Sequence, residues 1–308
     1  MTLSETTPAA TADSWSAGPG DLLLPGLLAW ELLGDGVRRE MWLAWSIDRW
    51  APVAVKLPRP SYAAEPRSAA TLRAEAVLLG QIRHTGFQRL LHDGSDEPLP
   101  HLVLEYVEGP SLDTVIDDGP LGPADLVLLG MHLAGALHYL HGRGFVHRDL
   151  KPENVVIREG RPVLLDLGLA CPIGTAGRAD APQGSDGYRA PEQERGAAAE
   201  PAADLYALGT ILAEAAVGDV DWLPEDLGAL PIELATVLTR LRDPDPAARP
   251  ADAAHLLTEL AAALPAGSAP TWPEWATAAL PSGGPARLPA PAPRSAPLRR
   301  PGQGRLSP

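Results

Sequence analysis

The chain has 308 residues, 45% of them hydrophobic, which is enough for one large domain or for two lobes with a real core. Its net charge of −14 and pI near 5.0 weigh against nucleic acid or an anionic membrane as partner. A single cysteine, Cys171, excludes an intramolecular disulfide, and no apolar run approaches the roughly 20 residues of a spanning helix. A cytoplasmic setting is the expectation.

In chain order, residues 1–22 are polar and small and are expected to form a disordered leader without the pattern of a signal peptide. From Leu27 to Leu57, strand-like runs are broken at Gly34, Gly36 and the turn around Asp48–Ala51, which predicts an antiparallel meander. Helical spacing follows over residues 67–83, then a buried strand over HLVLEYV, 101–107. A long amphipathic helix is predicted over 123–142, opened by Pro123 and closed by Gly142. RPVLLDLG contains a short strand, and the pattern is helical from Pro201 to about Leu264. Residues 265–308 are rich in Pro, Ala, Gly and Ser, with five arginines against one acid, and read as a disordered tail. Strands first and helices afterwards predict an α+β protein.

Lysine usage singles out two places. The chain has 25 Lys+Arg, yet only Lys56 and Lys151 are lysines. Arginine and lysine are not interchangeable where one compact ammonium must reach a phosphate. Lys56 ends VAVK, and Lys151 lies inside HRDLKPEN, residues 147–154. DLG follows at 166–168 and APE at 190–192. With these motifs in this order, the chain resembles the eukaryotic-type (Hanks-type) serine/threonine protein kinases, in their bacterial style, over about residues 25–263.

The resemblance implies a bilobal kinase domain over 23–264, with a β-rich N-lobe (23–104) carrying one main helix, a hinge (105–108) and an α-helical C-lobe (109–264). It implies transfer of the γ-phosphate of Mg·ATP to Ser or Thr of a protein substrate. Asp149 matches the catalytic aspartate and Lys151 the lysine that stabilises the transferring phosphate. Asn154 and Asp166 match the magnesium ligands, both oxygen donors. Lys56 matches the lysine that holds the α- and β-phosphates. Glu75, nine residues before His84, matches its partner. Leu104 matches the gatekeeper, while Glu105 and Val107 match the hinge groups that bond adenine. Gly34, Gly36, Met41 and Ala54 complete the implied nucleotide set. Lys151, two residues after Asp149, resembles the Ser/Thr pattern rather than that of tyrosine-specific members.

Other matches are structural: Glu192 with Arg249 as an ion pair, Asp204 as a brace for the catalytic loop, and His147 and Arg148 within that loop. Ser185 matches the Thr that bonds the catalytic Asp and Lys. Thr175 is the leading autophosphorylation candidate, with Arg148 as the partner of its phosphate. Two positions depart from the pattern. Leu167 takes the middle of DFG as an apolar substitute. Arg39 takes the place of the third loop glycine, and Arg38 and Arg39 are both expected to point into solvent, the alternative being added phosphate contacts. The other readings are a pseudokinase, favoured by Arg39 alone, and a small-molecule kinase of the aminoglycoside type, which would lack APE and the segment GSDGYRAPEQ.

Overall fold

Period-two burial in the first half of the chain builds one antiparallel sheet. In a computed structural model that describes residues 10–11, 14–180 and 183–264, six strands form it: β1 Leu22–Leu24, β2 Leu27–Asp35, β3 Arg39–Ser46, β4 Ala51–Pro58, β5 Leu90–Gly94 and β6 His101–Glu105. Their spatial order is β1-β2-β3-β4-β6-β5. Along β3 buried and half-buried residues alternate strictly. Trp42 and Ala44 enter the core with Leu23, Leu27, Val53, Val55, Leu57 and Val103. Arg39, Met41 and Leu43 therefore occupy the opposite face. Met41 pairs with Lys56, and Ala54 with Leu104, across β3-β4-β6.

Between β4 and β5 runs α1, Pro66–Gln81. Its buried stripe contains Leu72, Glu75, Ala76 and Leu79, so a carboxylate sits on the face a helix of this spacing turns inward.

The predicted leader of residues 1–22 is too long. Ala10–Thr11 pairs with Ser14–Trp15, and Trp15 packs on the sheet core. The indole Nε1 of Trp15 donates to the Pro58 carbonyl at 2.8 Å. Its backbone N–H donates to the buried carboxylate of Glu40 at 3.3 Å, which also accepts from Trp42 at 2.7 Å. An indole brings enough area to order a short segment that composition alone reads as unfolded.

The second lobe is mainly helical: α2 Leu112–Asp117, α3 Pro123–Gly142, α4 Pro191–Glu194, α5 Pro201–Val217, α6 Ile232–Leu241 and α7 Ala253–Ala262. Helix α3 packs against α5 and α7. Gly209 lets α5 pack tightly on α6, since a Cβ there would lie 2.4 Å from Leu241 Cβ. Four short strands, β7 Phe145–Val146, β8 Val155–Arg158, β9 Arg161–Leu164 and β10 Cys171–Pro172, pair as β8-β9 and β7-β10. The fold is α+β and bilobal. Among the described residues no helix is long and apolar enough to cross a membrane. The tail over 265–308 lies outside the described residues.

Candidate active site

A cavity of about 860 Å³ opens between the sheet and the helical lobe. From the sheet, period two brings Met41, Ala54 and Lys56 to its roof. Gly34 and Gly36, at the β2–β3 turn, close one end. From the helical lobe come Asp149, Lys151, Asn154 and Asp166. These lie on the loop between β7 and β8 and just after β9, so the β8-β9 hairpin brings HRDLKPEN and DLG together.

Lys56 is the electrostatic centre. Its Nζ lies 2.8 and 2.9 Å from the two oxygens of Glu75 and 2.6 Å from Asp166 Oδ1. Burial pushes the Lys56 ammonium down, but the Asp166 and Glu75 charges outweigh it and hold it above its usual range. Burial raises the Glu75 carboxyl, and Lys56 offsets this only in part. For Asp166 burial is overcome by the Lys56 charge and hydrogen bond, with further help from the Gly168 N–H and Arg39. Asp166 is held well below the ordinary carboxylate range and stays ionised.

The loop around Asp149 is braced from beneath. Asp204, 1% exposed, accepts from the backbone N–H of His147 and of Arg148, each at 2.8 Å. It also bonds His141 Nε2 at 2.8 Å. This holds Arg148 at φ +69, while the Gly168 N–H, 2.8 Å from Asp166 Oδ1, caps Asp166 at φ +53. Left-handed backbone at two non-glycine residues persists only where surroundings over-determine it. Asn154 Nδ2 donates to the Asp149 carbonyl at 2.9 Å, and Ser185 Oγ donates to Asp149 Oδ1 at 2.8 Å. Farther out, Arg249 grips Glu192 through two bonds of 2.6 and 2.9 Å.

Three sequence-selected residues do not line the cavity. Glu75 stands behind Lys56. Leu104 is fully buried between Ala54 and Leu90 in the sheet register. Glu105 turns its side chain to Arg158 at 2.8 Å and Arg89 at 3.0 Å. Its carbonyl accepts from Gln88 Nε2 at 2.8 Å, which leaves one lone pair for a ligand. Val107 does line the cavity and packs with Val156, Val163 and Leu165 beneath it.

Sequence reasoning missed Gln88, Val156 and Leu165 as wall residues. Gln88 is buried although it lies in the mostly polar stretch RHTGFQR, residues 83–89, so the sequence carried no signal for it. Val156 and Leu165 flank the matched Asn154 and Asp166, and strand alternation on the hairpin points to both.

The expectation for Arg39 is overturned. It faces the cleft rather than solvent, because it stands two residues before Met41 on the same face of β3. Its Nη1 lies 3.9 Å from Glu75, and a Cβ on Gly168 would come within 2.7 Å of it. Arg38 also reaches the cavity rim, but its side chain is half exposed, pairs with Glu65 and covers the Tyr62 ring. Thr175 bonds the Pro172 carbonyl through Oγ1 at 2.6 Å.

Comparison with known proteins identifies the family. A profile for the protein kinase domain matches residues 29–262. The chain is 33% identical over 229 residues to the serine/threonine-protein kinase PknB of Mycolicibacterium smegmatis, covering 71% of this chain and 36% of that protein. It is 31% identical to pkn2 of Myxococcus xanthus, covering 77% and 32%, and 31% identical to PrkC of Bacillus subtilis, covering 61% and 30%. The chain thus spans about a third of the length of the curated relatives it matches. With the matched region spanning both lobes, the chain belongs to the protein kinase domain family.

Proposed function

We propose that this chain is an ATP-dependent serine/threonine protein kinase, transferring the γ-phosphate to a protein hydroxyl. The observation that carries the reading is that Lys56, Asp149, Lys151, Asn154 and Asp166 all line one cavity. Phosphoryl transfer needs positioned charge more than covalent chemistry.

The donor set suits a hard cation. Asn154 spends its Nδ2 on the Asp149 carbonyl, which leaves Oδ1 as its free acceptor. Asp166 is held ionised. Magnesium would be held by Asn154 and Asp166 and would supply charge neutralisation at the phosphates. Lys56, steered by Glu75, is suited to hold phosphate oxygens. Adenine would lie on Val107, Val156 and Leu165, with the Glu105 carbonyl and the Val107 N–H as hydrogen-bonding edge. Asp149 would take the proton of the substrate hydroxyl while Lys151 neutralises charge on the transferring group. Ser185, bonded to Asp149, supports a protein substrate, since it belongs to the segment small-molecule kinases of the aminoglycoside type lack.

The test is incubation with γ-labelled Mg·ATP and a basic acceptor protein, followed by phosphoamino-acid analysis. Label on Ser or Thr is the expected result. Label confined to a small alcohol acceptor, or nucleotide binding without transfer, would contradict it.

A further inference from the structure

We propose that the β5–β6 hairpin carries a divalent transition-metal site made by His92, Glu97 and His101, with zinc as the expected occupant. The proposal is independent of the reading of the cleft.

One ligand atom from each of the three residues lies within 4.8 Å of the others. All three line one small cavity of about 140 Å³. His92 ends up near Glu97 because β5 turns back through Gly94 and Ser95; His92 Nε2 lies 2.8 Å from Glu97 Oε1. His101 begins β6 and is 3% exposed, so its ring is fixed by packing. Its Nδ1 lies 2.9 Å from the Leu99 carbonyl. A carbonyl can only accept, so Nδ1 carries the proton and Nε2 carries the lone pair. An imidazole whose other nitrogen donates to a backbone carbonyl is the usual arrangement behind a metal-ligating histidine.

Gly94 makes room for that ring, since a Cβ there would lie 2.5 to 2.8 Å from three His101 ring atoms. The same cavity is lined by Asp48 and Arg49. Arg49 opposes a cation and is held in place by its Nη2 bond to the Leu91 carbonyl at 2.8 Å, while the Asp48 carboxylate on the same cavity offsets its charge. Two imidazoles and a carboxylate suit zinc, with a fourth position for water, and differ from the all-oxygen set in the cleft. Without a metal, His92–Glu97 is an exposed hydrogen-bonded pair of little energetic consequence.

A metal here would clip β5 to β6. The other end of β6 carries Leu104 and Glu105, and Leu90 of β5 pairs with Leu104. The site would therefore stabilise the strands that lead into the hinge.

The experiment is isothermal titration of the chelator-treated full chain with Zn²⁺ alone, paired with thermal melts with and without Zn²⁺. His92→Ala and Glu97→Gln are the test variants, because both residues are exposed and their loss leaves the core intact. Asp166→Asn controls for zinc entering the cleft. Expected are one zinc per chain, affinity reduced at least about tenfold in both test variants, and a zinc-dependent rise in melting temperature that both variants lose and Asp166→Asn keeps. No zinc binding, binding unchanged in the two test variants, or binding lost in Asp166→Asn would each overturn the proposal.

Discussion

Arg39 occupies a position where a glycine normally lets the backbone approach phosphate, and it turns its guanidinium toward the same cleft. It adds a cation about where Lys56 and Asp166 meet. Replacing it with glycine, Arg39→Gly, is expected to weaken ATP binding about tenfold, close to 1.4 kcal/mol, and to leave adenosine binding unchanged. Titrating both ligands separates the outcomes, and tighter ATP binding in the variant would make Arg39 an obstacle instead. Asp204 gives a pH signature. Burial raises its carboxyl, but the His141 hydrogen bond, the charges of His141 and His147 and the His147 N–H outweigh it and depress it. A folded value below the unfolded value of about 3.9 means that the stabilisation is complete above that pH and is lost as pH falls through the folded value. Asp204→Asn should therefore be clearly less stable than the parent at pH about 7, with the gap in urea midpoints narrowing below about pH 4. At this scale the motif residues were legible because their chemistry dictates their identity. The direction of Arg39 was not, because it depends on which strand face the loop delivers to the cleft.

Elements show what composition hides. The meander, α1, α3 and the buried strand β6 were legible from periodicity and from punctuation by Gly and Pro. Trp15 was not, because a lone aromatic in a polar leader has no periodic partner; its binding site is made by Glu40 and Pro58, residues 25 and 43 positions away. Truncating it, Trp15→Ala, should cost about 2 kcal/mol by chemical denaturation, and no loss would mean that the segment rides on the sheet without stabilising it. In the helical lobe, Glu192 on α4 is tied to Arg249 just before α7. Arg249 is 3% exposed and also donates to the Asp243 and Ala202 carbonyls. Removing the carboxylate by Glu192→Ala strands a buried guanidinium and should cost about 3–5 kcal/mol, read as a large drop in melting temperature. A change below about 1 kcal/mol would show that water replaces the partner.

For the whole molecule, the two-lobed division was legible because strands precede helices in the chain. The cavity between the lobes was legible only in part. Its polar rim is written in motifs, whereas Gln88, Val156 and Leu165 are ordinary residues that become wall only when two hairpins from different lobes face each other. Leu104, matched to the gatekeeper, lies behind the cavity wall, because its register partners Ala54 and Leu90 cover it. The central claim is that Asp149 acts on the substrate hydroxyl while other residues hold the nucleotide. The most direct measurement compares phosphoryl transfer and ATP binding in Asp149→Asn and the parent. Transfer is expected to fall by at least about 10²–10⁴-fold with ATP affinity nearly unchanged. Near-normal transfer in the variant, or a parallel collapse of ATP binding in a folded protein, would contradict that role for Asp149.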